Sequence, residues 1–178
     1  MTGYLDLKIN IKEEPVQMDQ RNDKSKVVEI LESAIRSEID GYNFYLWASL
    51  KTKDPKGKTV FRELAEEEIR HLRMLEDEYK RYGGVKSWRE PEPKEVNKKK
   101  TFEINSRIKM KVSEGTSAED AFKLALRIEE DAEEFYREIA EKTKGQAIHK
   151  TLLDLAEMEK KHHELIRCHY EQAASSGG

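Results

Sequence analysis

Along four stretches of the chain, apolar residues recur at alternating steps of three and four, the period of a helix with one buried face. In the first stretch the stripe is Val28, Leu31, Ile35, Tyr42 and Tyr45, with a gap at position 38 that Glu38 fills. The second reads Phe61, Leu64, Glu68, His71 or Leu72, Leu75 and Tyr79. The third reads Phe122, Ala125 or Leu126, Glu129, Ala132, Tyr136 and Ala140, and the fourth Leu152, Leu155, Glu159, His162 and Ile166. Every stripe thus carries a carboxylate where packing demands an apolar side chain. Two of them add a histidine three residues later, on the same helix face.

Turn and cap residues set the expected boundaries. Ser25 as an N-cap starts a first helix over 25–50. Asp54-Pro55-Lys56-Gly57 supplies a turn before a second helix over 59–82, which Gly83-Gly84 ends. Thr116-Ser117-Ala118-Glu119 reads as a capping box opening a third helix over 117–143, and Gly145 precedes a fourth over 147–170. The connection 83–115 is far longer than adjacent helices need, so it is expected to cross the length of a bundle. In the extension 1–24, Leu5, Leu7, Ile9 and Ile11 alternate with polar residues, and Phe102, Ile104, Ile108, Met110 and Val112 share one parity. A short ribbon pairing these two segments is one expectation; the step of four through Ile104, Ile108 and Val112 also fits a helix. Residues 173–178 read as a disordered tail. The fold class expected is all-α: one four-helix domain over 25–172.

The second and fourth stretches are also copies of each other. Leu64-Ala65-Glu66-Glu67-Glu68-Ile69-Arg70-His71 returns ninety-one residues later as Leu155-Ala156-Glu157-Met158-Glu159-Lys160-Lys161-His162. The same shift, without a gap, lays Ala34, Glu38, Phe44, Tyr45, Lys51-Thr52-Lys53 and Tyr79 on Ala125, Glu129, Phe135, Tyr136, Lys142-Thr143-Lys144 and Tyr170. A duplicated helical hairpin accounts for this register.

Composition narrows the chemistry. Charged residues make up 39% and hydrophobic ones 37%, with four prolines and a net charge of −3 whose signs interleave. That suits amphipathic helices and offers no basic field for nucleic acid or anionic lipid. The apolar runs are too short to span a bilayer and the start lacks a secretory pattern, so a cytoplasmic protein is expected. Cys168 is the one cysteine, which excludes an internal disulfide or a Cys₄ metal site. A metal must be held by oxygen and nitrogen.

The inward set Glu38, Glu68, His71, Glu129, Glu159 and His162 meets that need. Four carboxylates buried together without partners would cost several kcal/mol each, by order of magnitude. Two divalent cations bring four carboxylates and two neutral imidazoles to zero net charge, and carboxylate with imidazole suits Fe(II), Mn(II) or Zn(II). Glu66, Glu67, Glu130, Glu134, Glu157, His149 and His163 lie off the stripes and read as solvated. His169 shares a face with His162 near the bundle end. Tyr45 and Tyr136, each two turns after a ligand glutamate, read either as core aromatics or as hydrogen-bond donors to ligand carboxylates.

These residues resemble the ferritin-like di-iron carboxylate superfamily and, within it, the rubrerythrin group. The resemblance rests on Glu38, Glu68-Ile69-Arg70-His71, Glu129 and Glu159-Lys160-Lys161-His162, with Tyr45 and Tyr136 in support, and spans about 25–171. It implies a ferritin-like four-helix bundle with a long crossover between helices 2 and 3. Glu68 and Glu159 would bridge two iron ions, with Glu38, His71, Glu129 and His162 capping them. Two features depart from the pattern. Rubrerythrins carry a rubredoxin module with paired Cys-x-x-Cys, which this sequence lacks, so a separate rubredoxin-like protein is the expected electron donor. They also have an extra carboxylate on the third helix where this chain has Ala132, followed by Glu133; the ligand exchange linked to peroxide reduction lacks that group here.

The function so implied is a di-iron oxidoreductase acting on hydrogen peroxide or O₂, by peroxide reduction or ferroxidase activity in oxidative-stress defence, in a homo-oligomer. An iron-binding or storage protein with little turnover is the alternative, and a structural bundle holding zinc a third.

Overall fold

The computed structural model describes residues 20–89, 92–96, 101–104, 108–111 and 117–176. Four long helices carry the fold: α1 (Gln20–Lys51), α2 (Pro55–Arg81), α4 (Ala118–Lys142) and α5 (Ile148–Ser176). Between α2 and α4 lie a single-turn helix α3 (Pro93–Val96) and two short strands, β1 (Thr101–Ile104) and β2 (Ile108–Lys111). α1 packs along α2 and α4 along α5, and the two hairpins meet through α1 with α4 and α2 with α5. No helix among the described residues is long and apolar enough to cross a membrane.

Local chemistry explains where the elements begin and end. Helix α2 starts at Pro55 rather than Thr59: the Asp54 carboxylate accepts from Gly57 N at 2.7 Å, and Pro55 stands at the first helical position, where its missing N–H costs nothing. Helix α4 has its capping box one residue later than the spacing suggests. Ser117 Oγ accepts from Asp120 N at 3.0 Å, and the Asp120 carboxylate reaches back to Ser117. Helix α1 reaches back to Gln20, since Arg21, Asn22, Asp23 and Lys24 include neither proline nor glycine to stop it. At the other end α5 continues to Ser176, through the stretch expected to be a disordered tail; Ala173 and Ala174 favour helix. Glu119 with Lys123 and Glu133 with Arg137 pair on the outer faces, exposed contacts worth little individually.

Two apolar clusters fill the bundle, one towards each end. Leu31, Ile35, Leu72, Leu75, Tyr136, Ile139, Leu152 and Leu155 belong to the first. Phe44, Tyr45, Phe61, Leu64, Phe122, Ala125 and Ile166 belong to the second. Each long helix runs from one cluster to the other, which makes α1 antiparallel to both α2 and α4. The connection from α2 to α4 therefore has to travel the length of the bundle: Trp88 packs on the first cluster and Val96 lies in the second. Within that connection the alternating residues pair with one another. Phe102 opposes Met110 and Ile104 opposes Ile108 in an antiparallel hairpin, β1 with β2, where the parity had suggested pairing with the N-terminal segment. Residues 1–19 of that expected ribbon lie outside the described residues.

The turn that launches the crossover is tightly built. Gly83 has φ +92°, a left-handed conformation that other residues avoid. Gly84 N donates to Tyr79 O at 2.9 Å, and a Cβ on Gly84 would lie 2.1 Å from the Tyr79 ring. That ring cannot yield easily: it is buried, Trp88 packs on its edge with centroids 4.9 Å apart, and its hydroxyl donates to Glu32 at 3.0 Å. Lys86 completes the clasp by pairing with Glu32 at 2.7 Å. Gly84→Ala is expected to destabilise the fold by about 1–3 kcal/mol, the usual cost of overpacking. A urea titration would show it, and an unchanged midpoint would mean that Tyr79 is freer to move than its contacts imply.

Candidate metal centre

The sequence that puts glutamate into each apolar stripe also puts all four at one level of the bundle. Ile35 precedes Glu38 and Phe44 follows it, one in each apolar cluster; Leu64 and Leu72 flank Glu68 in the same way, as do Ala125 and Tyr136 around Glu129. The result is a polar layer between two dry ones. Glu38, Glu68, Glu129, Glu159, His71 and His162 are all buried, with Glu129 fully inaccessible.

Within the layer the six side chains form two overlapping groups. Ligand atoms of Glu38, Glu68, His71 and Glu159 lie within 4.8 Å of one another, and so do those of Glu68, Glu129, Glu159 and His162. Glu68 and Glu159 are common to both. Nδ1 of His71 is 3.1 Å from Glu159, 3.3 Å from Glu38 and 3.7 Å from Glu68. Nδ1 of His162 is 3.2 Å from Glu159 and 3.6 Å from Glu129. The two imidazoles stack with centroids 5.2 Å apart. Gly41 makes room for this on α1, because a Cβ there would come within 3.3 Å of the Glu68 carboxyl carbon.

The tyrosines brace the layer across the bundle. Tyr45, on α1, donates its hydroxyl to Glu129 on α4, while Tyr136, on α4, donates to Glu38 on α1. Each phenol sits in one apolar cluster and reaches the carboxylate of the opposite hairpin. Burial, followed by Glu129 and Glu68, pushes the Tyr45 hydroxyl well above its ordinary value, so it stays a donor.

Without metal the layer holds protons. Burial, Glu68 and Glu159 hold the Glu38 carboxyl well above its ordinary value, and burial followed by Glu159 pushes Glu129 up to about 8. Burial would also raise Glu159, but the flanking His71 and His162 outweigh it and hold that carboxyl low. Burial disfavours the charged imidazoles, yet the carboxylates overcome it, raising His71 well above the usual histidine range and His162 to about 10. Even so the layer is incompletely satisfied. Glu38 Oε2, Glu129 Oε2, Glu159 Oε1 and both ring nitrogens of His71 are buried without a hydrogen-bond partner. Orphaned carboxylate oxygens and imidazole nitrogens converging on two points fit a pair of divalent cations.

Other candidates go elsewhere. Glu133 turns outward to Arg137 at 2.8 Å, so it does not replace the carboxylate missing at Ala132. His149 Nδ1 contacts Ala140 O at 2.8 Å beside the end of α4, and Cys168 is exposed. Glu67, assigned by spacing to the solvated face, instead has a carboxylate oxygen within 4.8 Å of a ring nitrogen of both His71 and His162. Its place one residue off the stripe, on the flank of the helix, hid it.

Comparison with known proteins places the fold. The profile of the rubrerythrin family matches residues 29–120 and 120–176. The bacterioferritin-related protein of Bacteroides fragilis, a dodecameric thioferritin, superposes with a TM-score of 0.66 at 21% identity, covering 86% of this chain and 89% of that one. A hypothetical protein of Pyrococcus furiosus superposes with a TM-score of 0.61 at 27% identity, covering 82% and 88%. A comparison with curated proteins returned no match.

The protonation pattern sets a pH dependence for the metal-free protein. From the ordinary 4.5 up to about 8, the native state keeps a proton on Glu129 that the unfolded chain has lost; from 6.5 to about 10 the same holds for His162. Raised folded values mean that stability falls as pH rises, at up to about 1.4 kcal/mol per pH unit per group. Glu159 acts oppositely, its contribution fading as pH drops below 4.5. Metal-free protein should therefore be most stable near pH 5 and lose stability steadily towards pH 9. With Zn(II) or Fe(II) bound, proton competition reverses the trend. Urea titrations at pH 5, 7 and 9 test this, and equal stability of the metal-free protein at pH 5 and 9 would refute it.

Proposed function

The chain belongs to the rubrerythrin family, and from that premise we propose that it is a non-haem di-iron oxidoreductase whose principal reaction is the reduction of hydrogen peroxide. The observation that supports this most is the sharing of Glu68 and Glu159 between two buried ligand groups. A pair of one-electron metal ions held by shared carboxylates would supply the two electrons that reducing a peroxide takes. In this reading Glu68 and Glu159 would serve both ions, Glu38 and His71 would complete one iron site, and Glu129 and His162 would complete the other. The metal pair, when bound, supplies two electrons and Lewis acidity to a peroxide or dioxygen.

The protein's own groups do the rest. Tyr45 and Tyr136 fix the capping carboxylates by hydrogen bonds from across the bundle, so each glutamate keeps one oxygen occupied and turns the other to metal. The apolar layers above and below exclude bulk water. One peroxide takes two electrons and two protons and leaves as two waters. In this reading the electrons come from a rubredoxin-like donor, since these 178 residues, with Cys168 as their one cysteine, hold no iron–thiolate centre. We also take the protein to be a homo-oligomer acting in the cytoplasm in defence against oxidative stress.

A second reading is iron storage, favoured by the likeness to a dodecameric thioferritin. The two readings differ in the fate of iron. A peroxidase keeps two ions per chain through many turnovers, whereas a store accumulates many more.

Two outcomes are expected. Anaerobic Fe(II) titration should saturate at two ions per chain, and Glu68→Ala should weaken both positions where Glu38→Ala weakens one; saturation at a single ion would sink the shared-ligand assignment. In stopped flow the diferrous protein should react faster with hydrogen peroxide than with O₂ and return to the diferrous state with rubredoxin and its reductase. Mineral accumulation without peroxide turnover would instead establish storage.

A further inference from the structure

The polar layer is closed on most sides. Apolar clusters cap it above and below, and between α1 and α4 the buried Tyr45 and Tyr136 bridge it. Beside Glu38 and Glu68, Ile39 and Ile69 pack into the first cluster. Side-chain exposure follows the same pattern: His162 keeps 10% of its surface accessible, whereas the other five inward side chains keep 5% or less. Glu67, 41% exposed on α2, has an oxygen within 4.8 Å of a nitrogen of both His71 and His162. The layer therefore comes nearest to solvent at the paired imidazoles, in the seam between α2 and α5.

Two apolar side chains stand at that seam. Met158, four residues before His162, and Leu165, three after it, share its face of α5. Met158 is half-buried and Leu165 is 39% exposed, and neither belongs to either apolar cluster. In the repeat they correspond to Glu67 and Met74 of α2, of which Met74 packs on the first cluster. Helix α5 thus keeps apolar surface beside the most accessible histidine and outside the core.

Resting on the peroxide-reducing reading, we propose that the seam between α2 and α5 at His162 is the entrance to the metal layer, and that Met158 and Leu165 set the size of what passes. Hydrogen peroxide bears no organic group and fits between the two side chains. A hydroperoxide of a bulky hydrocarbon has to displace both. The substrate class is then hydrogen peroxide rather than bulky organic hydroperoxides. An entrance is a kinetic feature: it adds the same barrier to entry and to exit and leaves the equilibrium between them unchanged. A ligand or a packing residue would instead change affinity or stability.

Mixing metal-free protein with Co(II), and later withdrawing the ion with a chelator, reads both directions through the visible bands of bound Co(II). Leu165→Trp and Met158→Trp are expected to slow uptake and loss alike by about tenfold, as a barrier raised by about 1.4 kcal/mol does, at unchanged affinity. Leu153→Ala should change neither rate, since Leu153 is 38% exposed but lies nine residues before His162, on the opposite face of α5. In stopped flow the diferrous wild-type protein should react far faster with hydrogen peroxide than with cumene hydroperoxide. Met158→Ala combined with Leu165→Ala should narrow that gap by speeding the second reaction. Unchanged Co(II) rates in both tryptophan variants, or affinity lost in step with the uptake rate, overturn the entrance. Wild-type protein equally fast with both peroxides overturns the size selection. Reaction with neither peroxide overturns the peroxidase reading and the substrate class with it, a result told apart because wild-type protein alone gives it, and the Co(II) rates then still decide the entrance.

Discussion

Burying four carboxylates at one level of a helix bundle is the constraint on which the rest of this structure depends. Desolvation alone would eject or neutralise such groups. In the metal-free protein neutralisation wins: Glu38 and Glu129 are pushed upward, and both imidazoles are held protonated beside Glu159. Cations do the same work with fixed charge, and they also reach the orphaned oxygens and nitrogens that protons leave unpaired. The layer is costly to the fold and useful to chemistry for one reason. Charged groups removed from water interact strongly with whatever enters between them.

The apolar clusters on either side carry the stability that such a layer takes away. Each long helix contributes to both clusters, so neither hairpin can shift without opening a core. The duplication supplies the arrangement economically. Antiparallel packing of α1 on α4 sets the two copies about an approximate two-fold axis, and the phenols cross it in both directions, Tyr45 to Glu129 and Tyr136 to Glu38. Each half thereby steadies a carboxylate that the other half carries.

The helical class, the inward glutamates and the histidines were legible because helical periodicity fixes a face, and a carboxylate on an apolar face is conspicuous. The partner of each tyrosine was not legible. Seven residues along one helix is about 10.5 Å, too far for a phenol to bond the glutamate it follows, so the contact had to cross between helices, and spacing within one helix cannot show that. Glu67 escaped for a related reason. One residue off the stripe is a rotation of about 100°, onto the flank, where a long side chain can still reach inward. In the crossover, equal parity marks strands without naming their partner: β1 pairs with β2, and the N-terminal segment of the expected ribbon lies outside the described residues.

Departures from the repeat are as informative as the repeat itself. Gly41 leaves Glu68 its space on α1, and the corresponding position on α4 is Ala132, where again no carboxylate reaches in. The two hairpins therefore contribute nearly equivalent side chains to the two overlapping ligand groups. Position 67 breaks that balance: α2 carries Glu67, whose side chain keeps 41% of its surface exposed and whose carboxylate lies within 4.8 Å of a nitrogen of each imidazole, while the equivalent position of α5 carries Met158, which has no charge to offer. The asymmetry that a duplicated gene would not supply by copying thus sits beside the two histidines.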